Sequence, residues 1–196
     1  DEMQIKQIMR EFIINNPALL HDTLSEFAAQ KADFDRLAAI SLTHQIDGDG
    51  LLGNPNGSVI IYEYSDYNCG YCKRLSKTIQ KLLEEDNDIL IVIKEFPILA
   101  QSSVLAAKAG MAAHEQRKFA EFHVTMMNSV GGITQDSLIS IATMIGLDLD
   151  AFNAAMNSNR FDTYLQRNQQ SARALGIEGT PALLIGDQLI PGAIGF

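Results

Sequence analysis

Positive charge is scarce in this chain. Its 15 Lys and Arg stand against 24 Asp and Glu, a formal net charge of −9. That balance disfavours nucleic acid as a partner, since phosphate binding needs clustered Lys and Arg. It also disfavours an anionic membrane surface. Long apolar runs are missing too: none approaches the roughly 18 residues that a helix needs to span a bilayer. Cysteine is limited to two residues, both within Cys69-Gly70-Tyr71-Cys72. A fold stapled by disulfides spreads its cysteines along the chain. Here the two thiols can close only on each other within one monomer. Such a bond cross-links almost no chain and adds little stability, so the pair reads as chemistry rather than architecture. No internal repeat or low-complexity tract is present. The opening Asp1-Glu2-Met3 is acidic and amphipathic, unlike a secretory leader; either no leader exists or one has been removed.

What is present suffices for a folded domain. The 196 residues allow one ordinary domain and a small extension. Apolar residues make up 46% and charged residues 20%, so a core can form. Ile5, Ile8, Met9 and Phe12 recur at helical spacing and predict a helix over 2–15. Asn16 suits an N-cap and Pro17 a first helical position, so a second helix is expected from Pro17 to about Gln45. Along it Leu20, Leu24, Phe27, Phe34 and Ala38 alternate spacings of four and three, interrupted by Lys31, which is nearly a heptad seam. Two readings stand: a helix packed on its own domain, or an oligomerisation arm over 1–46. A linker over 47–57 favours the arm, because Asp47-Gly48-Asp49-Gly50 and Gly53-Asn54-Pro55-Asn56-Gly57 are dense in breakers.

The segment 58–196 reads as α/β. Ser58–Tyr64 and 89–96 are apolar, β-branched strand patterns that flank a helical pattern from Cys69 to about Glu85. Strand, helix, strand at that spacing is a parallel βαβ unit. A helical insertion follows over about 101–175, broken at Gly131-Gly132, Gly146 and Asn157-Ser158-Asn159, with Thr134 and Asp148 as N-caps. Ala182–Ile185 and Gln188–Ile190 then form a hairpin around Gly186-Asp187. No helix follows to cover the last strand, so the natural chain is expected to continue beyond Phe196.

Cys69 falls where a buried strand gives way to a helix. Free N–H groups and the helix dipole there favour a thiolate. Cys69 is therefore the expected nucleophile. Cys72, one turn further in and on the apolar face, is the expected resolving thiol. Two plainer readings remain beside this one: half of a zinc site, for which the scattered His21, His44, His114 and His123 offer poor spacing, and a pair of buried structural cysteines. Thr180-Pro181 precedes the third strand and by itself requires nothing more than a turn.

Taken together, Tyr64-Ser65-Asp66-Tyr67-Asn68-Cys69-Gly70-Tyr71-Cys72-Lys73, Gly179-Thr180-Pro181-Ala182 and Ile190-Pro191-Gly192-Ala193 resemble the DsbA-like branch of the thioredoxin superfamily, over roughly Gly53 to Phe196. The resemblance implies a thioredoxin fold split by the helical insertion and preceded by a helical arm, with Pro181 cis beside the cysteines. It implies that Thr180 offers its backbone to a client strand. It implies an acid beneath the pair, matched by Glu63, with Lys94 as a possible partner in a proton relay. Read without the family, Glu63 could face solvent and Lys94 could be a solvated strand-end lysine.

The dipeptide Gly70-Tyr71 departs from the Pro-His of DsbA itself, which removes an imidazole next to the thiolate, and Thr180 stands where DsbA has Val. The N-terminal arm, with Phe12, Leu20, Leu24, Phe27 and Phe34 on its seam, is similar to the extension of oligomeric ScsC-like and α-DsbA proteins. The resemblance thus implies a protein disulfide oxidoreductase or isomerase that needs no cofactor or metal. Its expected partners are thiols and disulfides of exported proteins, a membrane redox partner, and other copies of itself in a dimer or trimer. The periplasm or envelope of a Gram-negative bacterium is where such chemistry persists. A monomeric DsbA-type oxidase, and an envelope client- or metal-binding protein with little turnover, are the competing functions.

Overall fold

The computed structural model describes residues 1–44 and 48–193. The expected helix end near Gln45, the arm boundary at 46, the linker start at Asp47 and the span to Phe196 fall outside them. The chain divides into two units, Asp1–Ala39 and Ile40–Phe196.

The first unit is helical. α1 spans Glu2–Asn15, capped by Asp1, whose carboxylate accepts from the Met3 N–H. Pro17, lacking an N–H, opens α2, which spans Pro17–Thr43. Asn16 does not cap α2 through its side chain; its Nδ2 turns back and donates to the Phe12 carbonyl at 2.7 Å. Phe12, Leu20, Leu24, Phe27 and Phe34 are all exposed, Phe34 by 72%.

The second unit is built on a five-stranded sheet of order β1-β3-β2-β4-β5. The strands are β1 (Gly50–Gly53), β2 (Val59–Ser65), β3 (Ile89–Glu95), β4 (Ala182–Ile185) and β5 (Gln188–Pro191). β2 and β3 run parallel, joined through α3 (Gly70–Glu85); the other pairings are antiparallel. Between β3 and β4 lie α4 (Gln101–Glu115), α5 (Phe119–Asn128), α6 (Gln135–Met144), α7 (Leu149–Met156) and α8 (Asp162–Ala174). Thr134 caps α6 in a reciprocal box with Ser137, and Asp148 caps α7 through the Ala151 N–H.

Alternation along the central strands decides what each helix covers. Ile61, Ile91 and Ile93 pack against Leu75 and Ile79 of α3. On the opposite face Tyr62, Val92 and Leu184 pack with Ile40, and Tyr64, Phe96 and Ala182 with Ala172 of α8. A larger cluster, including Phe122, Met126, Leu138 and Phe152, fills the insertion and reaches Cys69 and Cys72.

The linker expected over 47–57 is corrected. Gly50–Gly53 pairs with β3 as an edge strand, and Asp49 is buried. The second unit therefore starts well before 58. The two glycines that read as breakers are what let the strand dock. A Cβ on Gly50 would lie 2.0 Å from the Phe119 ring, and Gly53, at φ +81°, would place one 2.5 Å from the Ile89 carbonyl.

Candidate redox site

Cys69 is the N-cap of α3. Its sulfur accepts from the Cys72 N–H at 3.4 Å, and its thiol faces the Thr180 carbonyl at 3.2 Å. Both cysteines are free thiols. Cys69 keeps a sliver of exposure, 6%, whereas Cys72 has none. The Thr180–Pro181 bond is cis. The hairpin β4–β5 that follows Pro181 thus carries the Thr180 carbonyl to the Cys69 sulfur. Tyr71 projects outward, 60% exposed, and a side chain at Gly70 would meet open space.

Burial is the main cause that pushes the Cys72 thiol up, and the negative charge of Glu63 adds to it. Glu63 itself is fully buried on the α3 face of β2, beneath the pair. Burial raises its carboxyl from the usual 4.5 to about 7, tempered by the nearby Ser65 hydroxyl. Neither Glu63 oxygen finds a hydrogen-bond partner among the described residues. A buried carboxyl poised near neutrality next to a thiol is suited to take that thiol's proton.

Lys94 does not join it. The register pairs Glu63 with Ile93 and Tyr64 with Lys94, so the lysine lies on the opposite face of the sheet. There it is buried and ion-paired with Asp49, and Arg167 Nη2 stands 3.5 Å from the same carboxylate. Lys94 is neither solvated nor part of a relay with Glu63.

Residues outside the expected set complete the site. Asp66 ties two loops together: its Oδ1 accepts from Asn68 N at 2.8 Å, and its Oδ2 accepts from Ile98 N and Leu99 N at 2.9 and 3.0 Å. Asn68 Nδ2 donates to the Ser102 and Ser103 hydroxyls. The polar run Ser65-Asp66-Tyr67-Asn68 was a signal for such a turn. Glu95 shares the Glu63 face of the sheet. Its carboxyl is pushed well up by burial, eased by the Tyr67 hydroxyl and worsened by the charges of Asp66, Asp49 and Glu63. The Tyr67 hydroxyl also bonds His123 Nδ1 at 3.2 Å. Burial pulls His123 down to about 3, so it is neutral. Nothing in one dimension links residues so far apart.

Residues 60–196 match the model of the DSBA-like thioredoxin domain family, and the chain belongs to that family. A thioredoxin-like oxidoreductase from Silicibacter pomeroyi is 32% identical; the match covers 79% of this chain and 89% of that one, with a TM-score of 0.74. The thiol-disulfide exchange protein alpha-DsbA2 from Wolbachia pipientis is 29% identical, with coverage of 84% and 91% and the same TM-score of 0.74. Among curated proteins, a Na(+)/H(+) antiporter NhaA 1 of Salinispora arenicola is 26% identical over 71% of this chain. The chain spans about a fifth, 22%, of that relative's length. Among the described residues no helix is long and apolar enough to cross a membrane. Fold, site and family together define a DsbA-like thiol–disulfide oxidoreductase domain.

Proposed function

We propose that the protein forms or isomerises disulfides in exported proteins through Cys69 and Cys72. The observation that carries this reading is the asymmetry of the pair: Cys69 caps a helix beside the Thr180 carbonyl, while Cys72 is sealed one turn deeper above a buried acid. As a thiolate, the Cys69 sulfur attacks a client disulfide, forming a mixed disulfide and releasing one client thiolate. Cys72 then passes its proton to Glu63 and attacks the Cys69 sulfur. The Cys69–Cys72 bond forms, the second client thiolate leaves, and two electrons have moved from enzyme to client. Run in reverse, the same steps oxidise a client dithiol.

Thr180, next to Pro181, offers backbone groups to an extended client segment beside Cys69. Gly70 and Tyr71 form the exposed lip of the site. The exposed apolar residues Phe12, Leu20, Leu24, Phe27 and Phe34 suit pairing between copies in a dimer or trimer. Several sites around one client favour shuffling over one-way oxidation. A membrane redox partner would reset the pair, and the periplasm or envelope is the compartment in which its products last.

The test is Cys72→Ser. It should accumulate mixed disulfides on Cys69, visible on a non-reducing gel against cell-envelope extract, whereas Cys69→Ser should accumulate none. Activity untouched by Cys72→Ser would favour a client-binding protein with little turnover.

A further inference from the structure

The cations of this acidic chain are distributed unevenly. Elsewhere in the second unit, Lys94, Lys108, Arg160 and Arg167 each stand against a carboxylate. The first twelve residues of α3, which opens one residue after Cys69, carry Lys73, Arg74, Lys77 and Lys81, and no acid precedes Glu84. None of these four makes an ion pair among the described residues.

Two of them are held in place. Lys73 Nζ donates to the Ser129 carbonyl at 2.9 Å, and the Arg74 guanidinium lies 4.2 Å from the centre of the exposed Tyr71 ring. Arg74, Lys77 and Lys81 are exposed. At 100° per residue these three lie within about 60° of one another on α3, with Tyr71 about 60° round the helix from Arg74. From Arg74 to Lys81 the strip is about 10 Å long, the reach of about three residues of an extended chain. Its near end, Arg74, follows Cys69 by five residues, about 8 Å along the helix axis.

We propose that this strip sets client choice: the site takes polypeptides whose reactive cysteine is flanked by Asp or Glu. The proposal rests on the reading of Cys69 and Cys72 as the redox pair. Against a net charge of −9, an acidic client meets repulsion over most of the surface. The α3 face offers the local attraction that turns such a client toward the sulfur. Arg74 is the anchor, because its stacking on Tyr71 leaves less freedom to lose on binding.

The experiment uses the full chain, reduced, and two peptide disulfides of equal length, one with Asp flanking the cysteine and one with Lys. At low salt the acidic peptide should react about ten-fold faster, from three exposed pairs worth about two- to three-fold each. The difference should sit in KM rather than kcat. It should shrink toward parity in about 0.5 M salt and in the triple variant Arg74→Gln/Lys77→Gln/Lys81→Gln. A ratio near one in the unmodified protein at low salt overturns the proposal, as does a preference that survives the triple variant. Retention on phosphatidylglycerol vesicles without any peptide preference also overturns it. If neither peptide reacts with Cys69, the redox reading itself falls first, and this proposal with it.

Discussion

Glu63→Gln should gain stability relative to the parent as pH rises from acid through neutrality. The carboxyl is fully buried and raised from 4.5 to about 7, with desolvation as the leading cause. An acid raised in this way holds its proton more tightly in the folded chain than in the unfolded one. Between about pH 4.5 and 7 the unfolded state has already released that proton, so stability falls as pH rises through the window. A rise of this size is worth about 3 kcal/mol once pH exceeds the folded value. Glutamine has the same shape and no titration, so the variant escapes that loss. It still buries an amide, which shifts the whole curve by a constant. The informative quantity is therefore the change with pH. The stability difference between Glu63→Gln and the parent, read from urea unfolding of reduced protein, should grow by about 3 kcal/mol between about pH 4.5 and pH 8. His123 titrates in both proteins and cancels; Glu95, raised in part by the charge of Glu63, loses that part in the variant, which adds to the change in the same direction. A difference that stays flat across this range would refute the claim that Glu63 is a desolvated acid. The same variant should slow the resolving step, because Cys72 loses its proton acceptor.

Other perturbations test the frame around the site. Lys94→Met removes one partner of a buried pair whose side chains are each 1% exposed; because Arg167 remains near Asp49, urea unfolding should show a loss of about 3 kcal/mol, partly recovered in Asp49→Asn/Lys94→Met. Gly50→Ala drives a Cβ into the Phe119 ring and should cost at least about 1–3 kcal/mol, with partial recovery on adding Phe119→Leu. Leu24→Asp/Phe27→Asp, on exposed apolar positions of α2, should reduce the mass seen by light scattering to that of one chain; a parent that is already monomeric would end the arm reading.

Much of the fold was legible because its signals are local. The Cys69–Cys72 spacing, the βαβ pattern, the caps Thr134 and Asp148 and the Gly186-Asp187 hairpin each lie within a few residues of their cause. What escaped depends on partners distant in sequence. β1 is four residues between glycines, and only the Phe119 ring and the Ile89 carbonyl reveal why glycine is required there. Lys94 read as a relay partner because it is one residue past the strand position facing Glu63; a shift of one reverses the face, and its acid, Asp49, is 45 residues away. Tyr67, Glu95 and His123 come from a turn, a strand and a helix and meet only in the folded core.

The Asp66 clamp has a mechanical consequence. One carboxylate grips the turn that presents Cys69 and, through Ile98 N and Leu99 N, the start of the loop leading to α4. Ile98 and Leu99 are exposed apolar residues, 38% and 54%. The exposed pair and the turn that aims the sulfur are therefore fastened to one carboxylate, so a displacement of either is felt by the other.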